Sequence, residues 1–171
     1  MKILIVSDTH RKDDNLKKVI ERNLPLDMFI HLGDAEGSEN RICEWVNPEC
    51  RMEMVLGNND FFSMLDRERE IQIGKYKALI THGHYYGVSV GTERIKEEAR
   101  SRGCDIVMFG HTHRCYLWQG DGLTVLNPGS LSFPRQEGRK PTYMLMEIDD
   151  SGEAHYTLKY FEKKRLTIRE S

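Results

Sequence analysis

Five short apolar runs in this chain each stop at a polar cluster that carries an aspartate, an asparagine or a histidine. Lys2 to Val6 leads into Ser7-Asp8-Thr9-His10, Asp27 to Leu32 into Gly33-Asp34, and Met52 to Leu56 into Gly57-Asn58-Asn59-Asp60. Ala78 to Thr81 leads into His82-Gly83-His84, and Asp105 to Phe109 into Gly110-His111-Thr112-His113. Brief apolar runs bounded by turn residues read as buried strands. Between them, Asp14 to Arg22, Ser38 to Val46 and Thr92 to Arg102 have helical spacing, with Leu16, Val19 and Ile20 on one face of the first. Alternating strand and helix favours an α/β sheet, in which ligands gather outside the carboxyl ends of the strands. The polar clusters stand where that rule wants them.

From about Tyr116 onward the pattern becomes strands and turns. Gln119-Gly120-Asp121-Gly122 and Asp149-Asp150-Ser151-Gly152 are hairpin signals, and Tyr143 to Ile148 with Ala154 to Phe161 supply the β-formers around the second. The charged tail from Glu162 is expected to fray. With 171 residues and no linker or repeat, the expectation is a single domain over residues 1–171.

A formal charge of -2 gives no standing attraction to nucleic acid, so a polyanionic substrate must be held locally. Cys43, Cys50, Cys104 and Cys115 are too scattered for a zinc knuckle or redox motif and read as free thiols in a reducing compartment. The first apolar run meets Asp8 too soon for a signal peptide, and no stretch approaches the roughly 20 apolar residues of a membrane helix. These features point to a cytoplasmic location.

Five of the seven histidines fall in the clusters at 7–10, 81–84 and 110–113. Carboxylates, an amide oxygen and neutral imidazoles make a hard-to-borderline donor set suited to manganese, iron, cobalt, nickel or zinc, and the cysteines are not needed. In Asp8-x-His10, His82-x-His84 and His111-x-His113 the donors alternate, so an extended strand end would point both to one face.

The ordered series Asp8-x-His10, Gly33-Asp34, Gly57-Asn58, Thr81-His82-Gly83-His84 and Gly110-His111-x-His113 resembles the calcineurin-like metallophosphoesterase superfamily. Asn127-Pro128-Gly129-Ser130 is similar to its small bacterial and archaeal phosphodiesterase branch. The resemblance implies a four-layer α/β/β/α sandwich of two mixed sheets flanked by helices. It also implies two divalent transition metal ions, manganese foremost. Asp8, His10 and His113 would take one ion, Asn58, His82 and His111 the other, and Asp34 would bridge them. A hydroxide held between the ions would attack a phosphate diester. Relatives in this branch are often dimers or larger, so a homo-oligomer is also implied.

This sequence departs from the family pattern in two places. Many phosphatases of the superfamily have a histidine after the metal-binding asparagine to protonate the leaving group; here it is Asn59. An aspartate that pairs with that histidine is replaced by Gly37. The loss of general acid help predicts a preference for leaving groups that are stable unprotonated, such as aryl oxides. His84 is a candidate substitute donor or phosphate contact, against a merely supporting role beside His82. Catalysis is thus assigned to Asp34, Asn58 and His84.

Blander readings stand beside these. His31, inside an apolar run, reads as a satisfied core histidine or a support for the site, and His155 as structural. Asp60 fits either an N-cap for residues 61–65 or an acceptor for a metal-bound histidine. Thr92 to Arg102 reads as a helix with a solvated charged face. Arg135 reads as a solvated surface arginine more than as a substrate contact. A phosphomonoesterase would need cations beyond the metals, for which Arg11, Arg114 and Arg135 are the candidates. A non-catalytic scaffold, as in the retromer coat, is the alternative outside enzymology.

Overall fold

The computed structural model describes residues 1–162; residues 163–171, where the tail was expected to fray, lie outside the described residues. The elements in chain order are β1 Lys2–Val6, α1 Asp14–Asn23, β2 Met28–His31, α2 Glu39–Trp45, β3 Arg51–Met54, β4 Glu68–Ile73 and β5 Tyr76–Thr81. They continue with α3 Glu93–Ser101, β6 Ile106–Met108, β7 Cys115–Gly120, β8 Leu123–Pro128, β9 Thr142–Ile148 and β10 Ala154–Tyr160. Two five-stranded sheets result, ordered β10-β9-β1-β2-β3 and β4-β5-β6-β8-β7.

Strand alternation explains why the sheets stack as they do. Ile3 and Ile5 of β1 face the space between the sheets, with Ile73, Ala78, Ile80, Ile106 and Met108 arriving from the other side. Leu4 and Val6, on the opposite face of the same strand, pack against Leu16, Val19 and Ile20 of α1 and Ile42 of α2. In the second sheet Leu79, Val107 and Val125 turn outward onto Ile95 and Ala99 of α3. The layers are therefore helix, sheet, sheet and helix, as expected, and a strand buried on both faces must read as a continuous apolar run.

Each sheet has a parallel centre, β1-β2-β3 in one and β5-β6-β8 in the other. Antiparallel strands complete each sheet. The parallel registers bring Val6, His31 and Met54 level in the first sheet and Ile80 and Met108 level in the second. All five metal-type clusters leave from these strand ends.

Candidate metal centre

The polar clusters begin after the strands have ended, and their backbone is not extended. Asp8, His10, Asp34, His111 and His113 have φ between 47° and 66°. This corrects the expectation of paired donors on a pleated strand end. The left-handed conformation is disfavoured for residues with a Cβ, although aspartate and histidine tolerate it better than most. Here it swings alternate residues of tight loops toward one point. Strain of this kind gathers at functional sites.

Asp8 and Asp34 lie at the centre, both essentially inaccessible to solvent. Asp8 Oδ1 stands 3.2 Å from His113 Nε2, 3.8 Å from His82 Nε2 and 3.9 Å from His10 Nε2. Asp34 Oδ2 lies between His82 Nε2 at 3.4 Å and His10 Nε2 at 3.7 Å. Asn58 Oδ1 faces His82 Nε2 at 3.0 Å and His111 Nδ1 at 2.9 Å. All seven side chains expected to bind metal are thus brought together.

Their hydrogen bonds show which ring nitrogens are committed. His82 Nδ1 is held by the Leu32 carbonyl at 2.7 Å, His113 Nδ1 by the Phe133 carbonyl at 2.8 Å, and His10 Nδ1 by Glu36 Oε1 at 2.5 Å. Each of these acceptors places the ring proton on Nδ1 and leaves Nε2 as a bare lone pair in the neutral ring. His10 Nε2 and His113 Nε2 then confront each other at 3.2 Å, beside Asp8 Oδ1, which is buried without a hydrogen bond. Lone pairs and carboxylate oxygens this close require positive charge between them. Divalent cations of the kind that the donor set suits fit that demand.

The titration tendencies agree. Burial pushes the Asp8 carboxyl up, but the nearby His113 and His82 imidazoles and the Ser7 hydroxyl outweigh it and bring it below the usual range. Asp34 also falls, burial being overcome by His82 and two hydrogen bonds from Asn59. Burial opposes the charged form of His82, yet Asp34 and Asp8 raise it.

Two glycines admit the close approach. A methyl group on Gly57 would collide with the Asp34 backbone nitrogen and lie 2.7 Å from Asp34 Cγ. One on Gly110 would strike the Ser7 hydroxyl and lie 2.8 Å from Asp8 Oδ2.

Asn59 is occupied. Its side-chain amide donates to Asp34 Oδ2 and its backbone N–H to Oδ1, both at 2.8 Å. Gly37 leaves open space where a side chain could have projected. His84 is half-buried in a single 3-10 turn with its ring 5.4 Å from His82 and 5.9 Å from His111, centroid to centroid. Its Nδ1 is buried without a partner, and the ring lies against Tyr85 at 4.1 Å.

Asp60 takes neither of its two expected roles. Residues 61–65 form no helix, and the Asp60 carboxylate instead accepts the backbone N–H groups of Asp34, Glu36 and Gly57 at 2.7–2.8 Å. It thereby ties the Asp34 loop to the Asn58 loop. Glu36, missed in the sequence, is the acceptor that orients His10; its only local signal is a carboxylate two residues beyond Asp34.

His31 is fully buried, with Gly33 N–H donating to its Nδ1 and its Nε2 bonded to Thr9 Oγ1 at 2.9 Å, so it is a satisfied neutral core histidine. His155 sits on the surface and pairs with Asp149. The four cysteines are free. Among the described residues no helix is long and apolar enough to cross a membrane.

This architecture and donor cluster define a class, and the chain belongs to the calcineurin-like phosphoesterase superfamily, whose domain model matches residues 1–151. It is 30% identical over 152 residues to the probable metallophosphoesterase YsnB of Bacillus subtilis, covering 88% of this chain and 86% of that one. Phosphodiesterase MJ0936 of Methanocaldococcus jannaschii is 31% identical over 145 residues, covering 75% and 83%. In structure the chain resembles a zinc-complexed Vps29 of Entamoeba histolytica, with a TM-score of 0.73 over 95% of this chain and 100% of that one at 22% identity.

Proposed function

We propose that this protein is a metal-dependent phosphodiesterase with a dinuclear centre, acting on a small phosphate ester in the cytoplasm. The observation that carries this reading is the convergence of bare imidazole nitrogens on two buried carboxylates, with the other ring nitrogen of His10, His82 and His113 already committed. Asp8, His10 and His113 would hold one divalent cation and Asn58, His82 and His111 the other, with Asp34 shared; manganese is the first candidate. When bound, such a pair supplies a hydroxide near neutral pH and neutralises the charge on the phosphoryl oxygens.

The protein's own contribution is positional. Glu36 and the Leu32 and Phe133 carbonyls fix the rings of His10, His82 and His113, and Asn59 fixes Asp34. With Asn59 so engaged, leaving-group protonation falls to His84 or to solvent, and His84 stands beside the Asn58, His82 and His111 donors. Overall, water's hydroxyl goes to phosphorus and its proton to the departing oxygen.

A phosphomonoesterase is the second reading, and one observation favours it: Arg114, Arg135 and Arg139 line a cavity that also contains His10 and His113. A non-catalytic metal-binding scaffold is the remaining reading, and turnover separates it from the enzyme. The test is hydrolysis of matched aryl phosphate mono- and diesters by metal-stripped protein after separate return of manganese, nickel, zinc or magnesium. Diester turnover that returns with a transition metal and vanishes in Asp34→Asn is expected. Stoichiometric metal binding without turnover would overturn the enzyme reading.

A further inference from the structure

The arginines of this chain divide sharply by surroundings. Arg41, Arg51, Arg69, Arg100 and Arg102 form ion pairs, and Arg22, Arg67 and Arg94 lie over aromatic rings. Among the described residues, Arg11, Arg114, Arg135 and Arg139 show no guanidinium contact of either kind. Three of these four, Arg114, Arg135 and Arg139, line one cavity of about 970 Å³ that opens from the His10 and His113 side of the centre. Among the described residues the one acidic side chain lining this cavity, Glu36, is already engaged by His10 and so is not free to neutralise the three guanidinium groups.

The backbone that carries two of these arginines is bolted to the centre. Arg135 N–H donates to the His113 carbonyl at 2.9 Å, and His113 Nδ1 bonds the Phe133 carbonyl. The Ser130 hydroxyl donates to the Asp8 carbonyl at 2.8 Å and accepts from Phe133 N–H at 2.8 Å. Arg114 directly follows His113. The cationic wall is therefore held in register with the proposed metal ligands while its guanidinium groups remain unpaired. A cavity of this size greatly exceeds one phosphoryl group, and three fork-shaped cations suit phosphate oxygens.

We infer that this cavity is a second-phosphate subsite: the substrate carries, beside the phosphoryl group that is cleaved, a further phosphate held by Arg114, Arg135 and Arg139. This rests on the phosphoesterase reading and narrows it to small esters with two linked phosphates, such as nucleoside diphosphate esters. It also accounts for a nearly neutral chain that handles a polyanion, since the positive charge is concentrated at the place of need.

The test compares the p-nitrophenyl esters of thymidine 5′-monophosphate and thymidine 5′-diphosphate, with consumption of each followed by chromatography. In the metal-loaded wild type, kcat/KM should favour the diphosphate ester by about tenfold or more, and the ratio should collapse toward one in Arg135→Gln/Arg139→Gln. Lys159→Gln, an exposed position on β10, should keep the preference. In parallel, calorimetry on metal-stripped protein should show thymidine diphosphate binding more tightly than the monophosphate, and the difference should disappear in the double variant. Absence of hydrolysis with any metal would defeat the phosphoesterase reading, while the calorimetric comparison would still decide the subsite. Equal handling of both ligands, or a preference that survives the double substitution or is equally lost in Lys159→Gln, would overturn the proposal.

Discussion

His31 offers a measurement of how strongly the interior beneath the centre excludes charge. Burial pushes this imidazole from the ordinary 6.5 down to about 4, against the pull of the Asp60, Asp8 and Asp13 carboxylates. Its Nδ1 accepts the Gly33 N–H, so protonation would set two donors against each other. Because the folded value lies below the unfolded one, the unfolded chain binds the additional proton between these two limits. The contribution of neutral His31 is therefore complete above 6.5 and is lost as pH falls toward 4. The full shift corresponds to roughly 3 kcal/mol, of which about 2 kcal/mol should already be gone when pH falls from about 7.5 to about 5. The assay is guanidinium unfolding of metal-stripped wild type and His31→Gln at both pH values. Glutamine keeps a donor and an acceptor but does not titrate, and the other ionisable groups cancel in the difference. The stability advantage of wild type should shrink by about 2 kcal/mol at the lower pH. A difference that stays constant within about 0.5 kcal/mol would refute the assignment of a neutral, proton-excluding His31.

Other substitutions test the centre itself. Glu36→Gln weakens the acceptor that orients His10 and should lower metal affinity by about 10- to 100-fold, read by competition with a chelating dye. Gly57→Ala drives a methyl group into Asp34 and should abolish stoichiometric metal binding, with circular dichroism reporting whether the sheets survive. With Asn59 engaged by Asp34, general acid help from that position is absent. Aryl diesters should therefore be cleaved about 10²-fold or more faster than alkyl diesters, and equal rates would show an efficient proton donor elsewhere.

Much of this architecture was legible because parallel strands covered on both faces must be apolar throughout, so their ends are marked by the first polar residue. β1, β2, β5 and β6 were found in that way, whereas β3, an edge strand carrying Arg51 and Glu53, was marked by Met52, Met54 and the apolar residues that follow it. β4 was not found, because Arg69, Glu70 and Gln72 are exposed, Glu68 is half-buried, and only Ile71 and Ile73 are buried. As an edge strand it spends its charges on neighbours: Glu70 pairs with Lys77, and Glu68 with Arg102 and Tyr86. The donors of the site were legible from their types, but not their backbone geometry, since left-handed conformations at Asp8, His10 and His111 serve contacts made far away in sequence. Asp60 and Glu36 escaped for a related reason. Each acts on a loop other than the strand end that a local pattern describes.

Each of the two proposed donor sets draws on both sheets. Asp8 and His10 follow β1 while His113 follows β6, and Asn58 follows β3 while His82 and His111 follow β5 and β6. An ion held by either set would therefore be gripped from both sides of the sandwich. Metal loading would act as a rivet through the seam, so a pulling force that peels the sheets apart should meet its greatest mechanical resistance at this rim, and chelation should convert that rim into the place where the seam first opens.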